Sequence, residues 1–139
     1  MAIFDVDKVS KEIESYFDCE DEHKKIKGAA RYHYSANEMD KVLEPFIGKP
    51  EEFISFLEKT WGWKVTFDKE NGVIIADENK PYCICQLNEK VKCSKLCYCS
   101  EGFAELMFGK VFERPVQAAV KASVLRGDKS CIYEVKLGR

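Results

Sequence analysis

Trp61-Gly62-Trp63-Lys64-Val65-Thr66-Phe67-Asp68-Lys69-Glu70-Asn71-Gly72-Val73-Ile74-Ile75-Ala76 is the stretch on which the fold turns. Before it, apolar residues recur at helical spacing. From Trp63 onward they alternate: Trp63, Val65 and Phe67 on one side, Lys64 and Thr66 on the other. Strict alternation predicts a half-buried strand. Asp68 to Gly72 reads as a hairpin loop, because Asn-Gly accepts positive φ. Val73 to Ala76 returns as a second strand.

Working back towards the start, Val6, Val9, Ile13, Tyr16 and Phe17 share one helical face. A second helix is expected from about His23 to Tyr34. Ser35-Ala36-Asn37-Glu38 has the form of a capping box before the stripe Met39, Val42, Leu43 and Phe46. Pro50 suits the first turn of a further helix, whose first N–H groups have no partner in any case. Glu51 and Glu52 suit its dipole. Gly62 ends it.

Working forward, Asp77 to Pro81 turns the chain and Tyr82 to Leu87 predicts a third strand. Ser100 can cap a helix to Phe112, with Phe103, Leu106, Met107 and Val111 inward. Val116, Ala118, Val120, Ala122 and Val124 alternate along a fourth strand. Arg126-Gly127-Asp128-Lys129 turns, and Cys131, Tyr133, Val135 and Leu137 alternate along a fifth. The sequence therefore predicts an α+β fold: N-terminal helices, then a mostly antiparallel β-β-β-α-β-β sheet. One domain spans 1–139, with a helical part at 1–60 and a cysteine-bearing sheet part at 61–139.

The net charge of −2, with scattered Lys and Arg, argues against a nucleic-acid surface. No apolar run approaches a membrane span. The N-terminus lacks a signal peptide's basic and apolar regions. A cytoplasmic protein is expected, whose seven cysteines are metal ligands, reactive thiols or core filler rather than a disulfide framework.

Five of the seven crowd into residues 83–99. Cys83 and Cys85 share one strand face, roughly 6.6–7 Å apart. Cys97 and Cys99 stand where a helix N-terminus favours thiolates. Four cysteines are a standard structural zinc set. Cys-x-Cys-x11-Cys-x-Cys supplies the count without the usual spacing within each pair. The expected metal set is Cys83, Cys85, Cys97, Cys99 and Cys131, with zinc. The other reading is that they are buried small hydrophobes, as cysteines often are. Cys93 has no assigned role. A nucleophilic cysteine needs a base, and only His23 and His33 exist, both in the helical half. Glu101 and Glu105 read either as a solvated helix face or as a ligand or proton acceptor. Trp61, Trp63, Tyr82, Phe103 and Phe108 could line an apolar pocket between sheet and helices. Trp63, Tyr82, Phe103 and Phe108 are the expected ligand-binding residues.

Residues Cys97 to Leu137 resemble the four-vinyl-reductase domain family, small ligand-binding domains that share a fold with the trafficking subunits of the TRAPP tethering complex. The resemblance lies in Cys97 followed by Gly102 at a helix head, Phe108-Gly109-Lys110, a strand from Pro115, and Gly127-Asp128-Lys129-Ser130-Cys131 before the last strand. It implies a homodimer. It also implies zinc on positions like Cys97 and Cys131, beside an apolar pocket, as in phenol-sensing members. Those members' Glu and Cys before the Gly-Asp turn correspond here to Val120 and Ser123, which cannot ligate in the same way. Cys99, Cys85 or Cys83 would have to take over. The same region is similar to the L-2-amino-thiazoline-4-carboxylic acid hydrolase family, through its cysteine-rich segment and the Gly127-to-Cys131 turn. That similarity implies a cysteine nucleophile opening a small ring. The expected function is a small-molecule-binding domain with a cysteine-lined, zinc-holding site beside an apolar pocket that takes an apolar or heterocyclic molecule. The alternative is a cysteine-dependent hydrolase of a small heterocycle or amide.

Overall fold

A computed structural model describes residues 6–17, 19–80 and 97–138. Five helices come first: α1 (Val6–Ser15), α2 (Glu22–Gly28), α3 (Ala30–Ala36), α4 (Met39–Leu43) and α5 (Pro50–Thr60). The hairpin β1 (Lys64–Asp68) and β2 (Val73–Asp77) follows, then α6 (Cys97–Phe112), and then β3 (Val116–Ala122) and β4 (Ile132–Leu137). The four strands form one sheet in the order β1-β2-β4-β3, every neighbour antiparallel. This is the predicted α+β arrangement of N-terminal helices, antiparallel sheet and inserted helix. The expected strand 82–87 lies outside the described residues.

Register follows the alternation. Val65 pairs with Ala76, and Phe67 with Ile74. Ile74 pairs with Val135, and Ala76 with Tyr133. Ala118 pairs with Val135 on the far side. One row therefore faces the helices, since a one-residue slip would turn every apolar side chain outward. This face meets Met107, Phe108 and Val111 of α6, with Leu43 of α4 and Phe53 and Leu57 of α5 closing the core. A second cluster sits on the start of α6, where Cys99 packs with Val9, Ile13, Ile26, Ala29 and Ala30. α6 is thus sandwiched: α2 and α3 on one side, sheet on the other. A helix packed on two sides needs apolar residues over most of its circumference, and α6 has them, with Glu101, Glu105 and Lys110 as its charged positions.

Several local expectations are corrected. The helix expected over His23 to Tyr34 is two, divided at Ala29, whose N–H caps α2 by donating to Ile26 and Lys27 carbonyls. Ser35-Ala36-Asn37-Glu38 is not a capping box. Ser35 lies inside α3, and Glu38 precedes α4 at φ 50° without a side-chain cap. Its carboxylate reaches Lys41 at 3.3 Å instead. α6 begins at Cys97 rather than after Ser100. Burying Cys99 against α1–α3 rewards the extra turn. Alternation through Val124 overstates the fourth strand. After a register shift between Val120 and Ala122, Ala122 makes the last pair, with Ile132, and the Ser123 side chain accepts from Leu125 N–H to start a 3-10 turn over Val124–Arg126.

That turn closes at Gly127, with φ 93° and no atom within 4 Å of where a Cβ would stand. The cost of a side chain there is conformational, not steric overlap. Gly127→Val is expected to destabilise by about 1 kcal/mol or more. An unchanged urea midpoint would contradict the turn geometry.

Candidate functional site

A cavity of about 640 Å³ opens at one end of the sheet, between α4, the end of α5 and the first turns of α6. Each side of it arrives by a different local rule. Trp61 ends α5, and Trp63 enters β1 after Gly62 turns the chain at φ 74°. Their ring centroids are 5.6 Å apart with planes at 56°. Met39 and Val42 come from α4, and Cys99, Phe103 and Ala104 from α6. Tyr133 rises from β4, and Glu78 and Lys80 follow directly after β2.

Glu78 is the group that stands out. It is only 6% exposed, yet it lines the cavity. Its N–H donates to the Cys131 carbonyl at 3.0 Å, so β4's entry holds it in place. Asp77 shapes the turn beyond it. Asp77 Oδ1 accepts from Asn79 N–H at 2.7 Å and from the Ser130 hydroxyl at 2.6 Å. Lys80 Nζ donates to the Trp61 carbonyl at 2.5 Å and to the Glu78 carbonyl at 3.4 Å. Burial pushes the Glu78 carboxyl up to about 7. Lys80 pulls the other way, Asp77 adds to the rise, and a hydrogen bond from the Cys131 thiol lowers it. Near neutral pH, this carboxyl can therefore donate or accept.

The expected site residues separate. Trp63 and Phe103 line the cavity. Phe108 is fully buried deeper, edge-on to Phe53, and belongs to the core. Tyr82, Cys83, Cys85 and Cys93 lie outside the described residues. Cys97 opens α6. Cys99 lines the cavity with 1% exposure. Cys131 Sγ accepts from Val124 N–H at 3.4 Å and lies 3.9 Å from Ser123 Oγ. Among the described residues, no group of three or more His, Cys, Asp or Glu side chains is gathered to hold a metal ion. Cys19 stays apart, its thiol donating to the Ser15 carbonyl at 3.3 Å.

Sequence reasoning missed Glu78, because an acid in an Asp-Glu-Asn-Lys turn reads as solvated. Only the pairing of β2 with β4 buries it. It also missed the role of Glu101 and Glu105. Among the described residues β3 is an edge strand, and these two acids, one helical turn apart on α6, accept from its outward N–H groups. Glu105 takes Ala118 N–H at 2.9 Å, and Glu101 takes Val120 N–H at 2.8 Å. Glu101 is 2% exposed and also meets His23 Nε2 at 2.5 Å. The His23 ring stacks on Tyr98 at 3.8 Å. Lys27 pairs with Glu105 at 2.5 Å and donates to the Ala118 carbonyl at 3.1 Å. The cluster seals the edge against strand addition and ties α2 to it.

A family model matches residues 4–138. The chain belongs to the family of unknown function DUF6144. Neither the four-vinyl-reductase family nor the thiazoline hydrolase family is the family matched. No curated protein matches the chain. Among solved structures, it is similar to a trafficking protein particle complex subunit 3 from Naegleria fowleri covalently bound to palmitic acid. Identity is 14% and the TM-score 0.42, over 99% of this chain and 84% of that one. Among the described residues, no helix is long and apolar enough to cross a membrane.

Proposed function

We propose that this protein is a cytoplasmic, homodimeric small-molecule-binding domain that takes a small, largely apolar ligand in the cavity beneath Trp61 and Trp63. One observation carries the reading: a cavity of about 640 Å³ with aromatic and aliphatic walls contains one buried carboxyl, Glu78. Apolar walls supply affinity by excluding water, and a few fixed polar groups orient the ligand. Apolar walls around an open cleft present surface that a bound ligand would remove from water. A buried acid without a structural task is costly.

The chain has two tryptophans, and both line the cavity, so intrinsic fluorescence reports its filling. Nile red, a neutral apolar probe, is expected to bind with a blue shift and to quench that fluorescence. Val42 lines the cavity from α4 and is only half-buried, so a larger side chain there can occupy the space. Val42→Trp is expected to weaken Nile red binding at least about tenfold, or about 1.4 kcal/mol, without lowering the melting temperature. Equal binding by both proteins would remove the cavity as the site.

Zinc enters this proposal only with Cys83, Cys85 and Cys97 as partners of Cys99 and Cys131. Elemental analysis of protein purified without added metal tests it. Light scattering tests the dimer.

A further inference from the structure

We infer that the cavity selects a ligand bearing a protonated amine, seated with its ammonium against the Glu78 carboxylate and its apolar body against the Trp61 and Trp63 indoles. This inference rests on the cavity being the binding site. Three observations converge on the charge.

The first is the local balance. Among the described residues, the charged side chains that act on Glu78 are Lys80, which lines the cavity, and Asp77, which stands behind it. With Glu78 ionised these are two carboxylates and one ammonium, and an incoming cation offsets the difference where burial makes uncompensated charge costly. An incoming carboxylate would add a third negative charge.

The second is that Lys80 is already committed. Of its three N–H donors, two point at the Trp61 and Glu78 backbone carbonyls. It is held at the Trp61 end of the cavity and is not fully available to an anionic ligand. The thiol facing Glu78, Cys131, is neutral when protonated and brings no competing cation.

The third is the wall. Trp61 and Trp63, inclined at 56°, present indole surface from two directions, with Phe103 and Tyr133 beside them. Aromatic faces attract ammonium groups, indole most of all, and the attraction grows on desolvation. Carboxylate and angled aromatic rings together make a cation receptor. The same walls without the acid would favour a neutral ligand.

The experiment uses three probes of near-identical shape: 2-phenylethylamine, 2-phenylethanol and 3-phenylpropanoate. Binding is followed by tryptophan fluorescence and calorimetry. The amine is expected to bind most tightly. Glu78→Gln removes the charge and keeps the shape, so it should abolish the amine's preference over the alcohol. Lys80→Met, measured at pH 8, gives a second reading that does not depend on Gln being tolerated. Removing the neighbouring cation should tighten amine binding several-fold. Equal or tighter binding of the alcohol or the acid overturns the inference, and so does amine binding indifferent to Glu78→Gln or weakened by Lys80→Met. If Nile red binds while the amine has no advantage, the cavity stands as the site and only the ligand class fails. If Nile red binding is also absent, both fail.

Discussion

Gly102→Ala is expected to destabilise the protein by about 2–3 kcal/mol, although alanine is the better helix former. Gly102 lies buried within α6, where α2 and α3 cross it. A Cβ there would stand 2.1 Å from the Lys27 carbonyl oxygen and 2.9 Å from Ala30 Cβ. The first is backbone and cannot rotate away, so α2 must be displaced. Helix propensity offers at most about 1 kcal/mol in return, and overlap wins. Displacing α2 would also draw His23 and Lys27 away from the Glu101 and Glu105 carboxylates. Gly109 in the same helix is the control. Its nearest atoms are Arg114 O at 3.5 Å and Val116 Cγ2 at 3.8 Å, ordinary contacts. Gly109→Ala should be neutral or stabilising by up to about 1 kcal/mol. Urea denaturation with equal slopes reads both changes. A midpoint for Gly102→Ala equal to the unmodified protein's would show that α2 is not seated on α6 at this depth.

Glu78→Gln is expected to be more stable than the unmodified protein at pH 8, by up to roughly 3 kcal/mol. The sign follows from the direction of the shift. Burial raises this carboxyl from an ordinary 4.5 to about 7 in the folded chain. Between those values the folded state keeps a proton that the unfolded chain has released. Stability from this group is therefore fully present below about pH 4.5, falls as pH rises through the window, and levels off above about pH 7. Glutamine keeps the shape and has no proton to lose, so the difference between the two proteins should open across that interval. Taking the difference cancels the ordinary titrations elsewhere. Parallel stability curves from pH 4 to pH 8 would mean that Glu78 is solvated and not the buried acid of the cavity. A destabilising group kept in a cavity wall is the usual mark of a site selected for binding rather than stability.

The sequence by itself determined the elements and their class. Period carries that information locally: the change at Trp61, the Asn71-Gly72 reversal, Pro50 opening α5 and the alternating Cys131–Leu137 run each read from a few neighbours. The pairing of Val65 with Ala76 follows, because only one register puts both apolar rows inward. Capping was less legible. Ser35 and Glu38 have the right types at the right spacing, but α3 runs through Ser35. Trp63 and Phe103 could be named as pocket residues because large aromatics on an inward face have few other places to go. Phe108 carried the same signal, yet it fills the core against Phe53. Aromatic content does not tell a wall from a filling.

Tertiary structure alone decided which polar groups are buried. Glu78 sits in a stretch whose composition reads as an exposed turn, and it becomes a cavity acid because β2, besides its hairpin partner β1, pairs with the distant β4. Glu101 reads as helix surface, and it is buried because β3 returns beside α6 with the Val120 N–H turned towards it, while His23 arrives from 78 residues away. Burial and partner charge are properties of distant segments brought together, and no local pattern encodes them. A carboxylate's chemistry depends on both. The sequence could thus mark out where the sheet and helices lie, but the acid at the centre of the proposed site became visible only once the strands were paired.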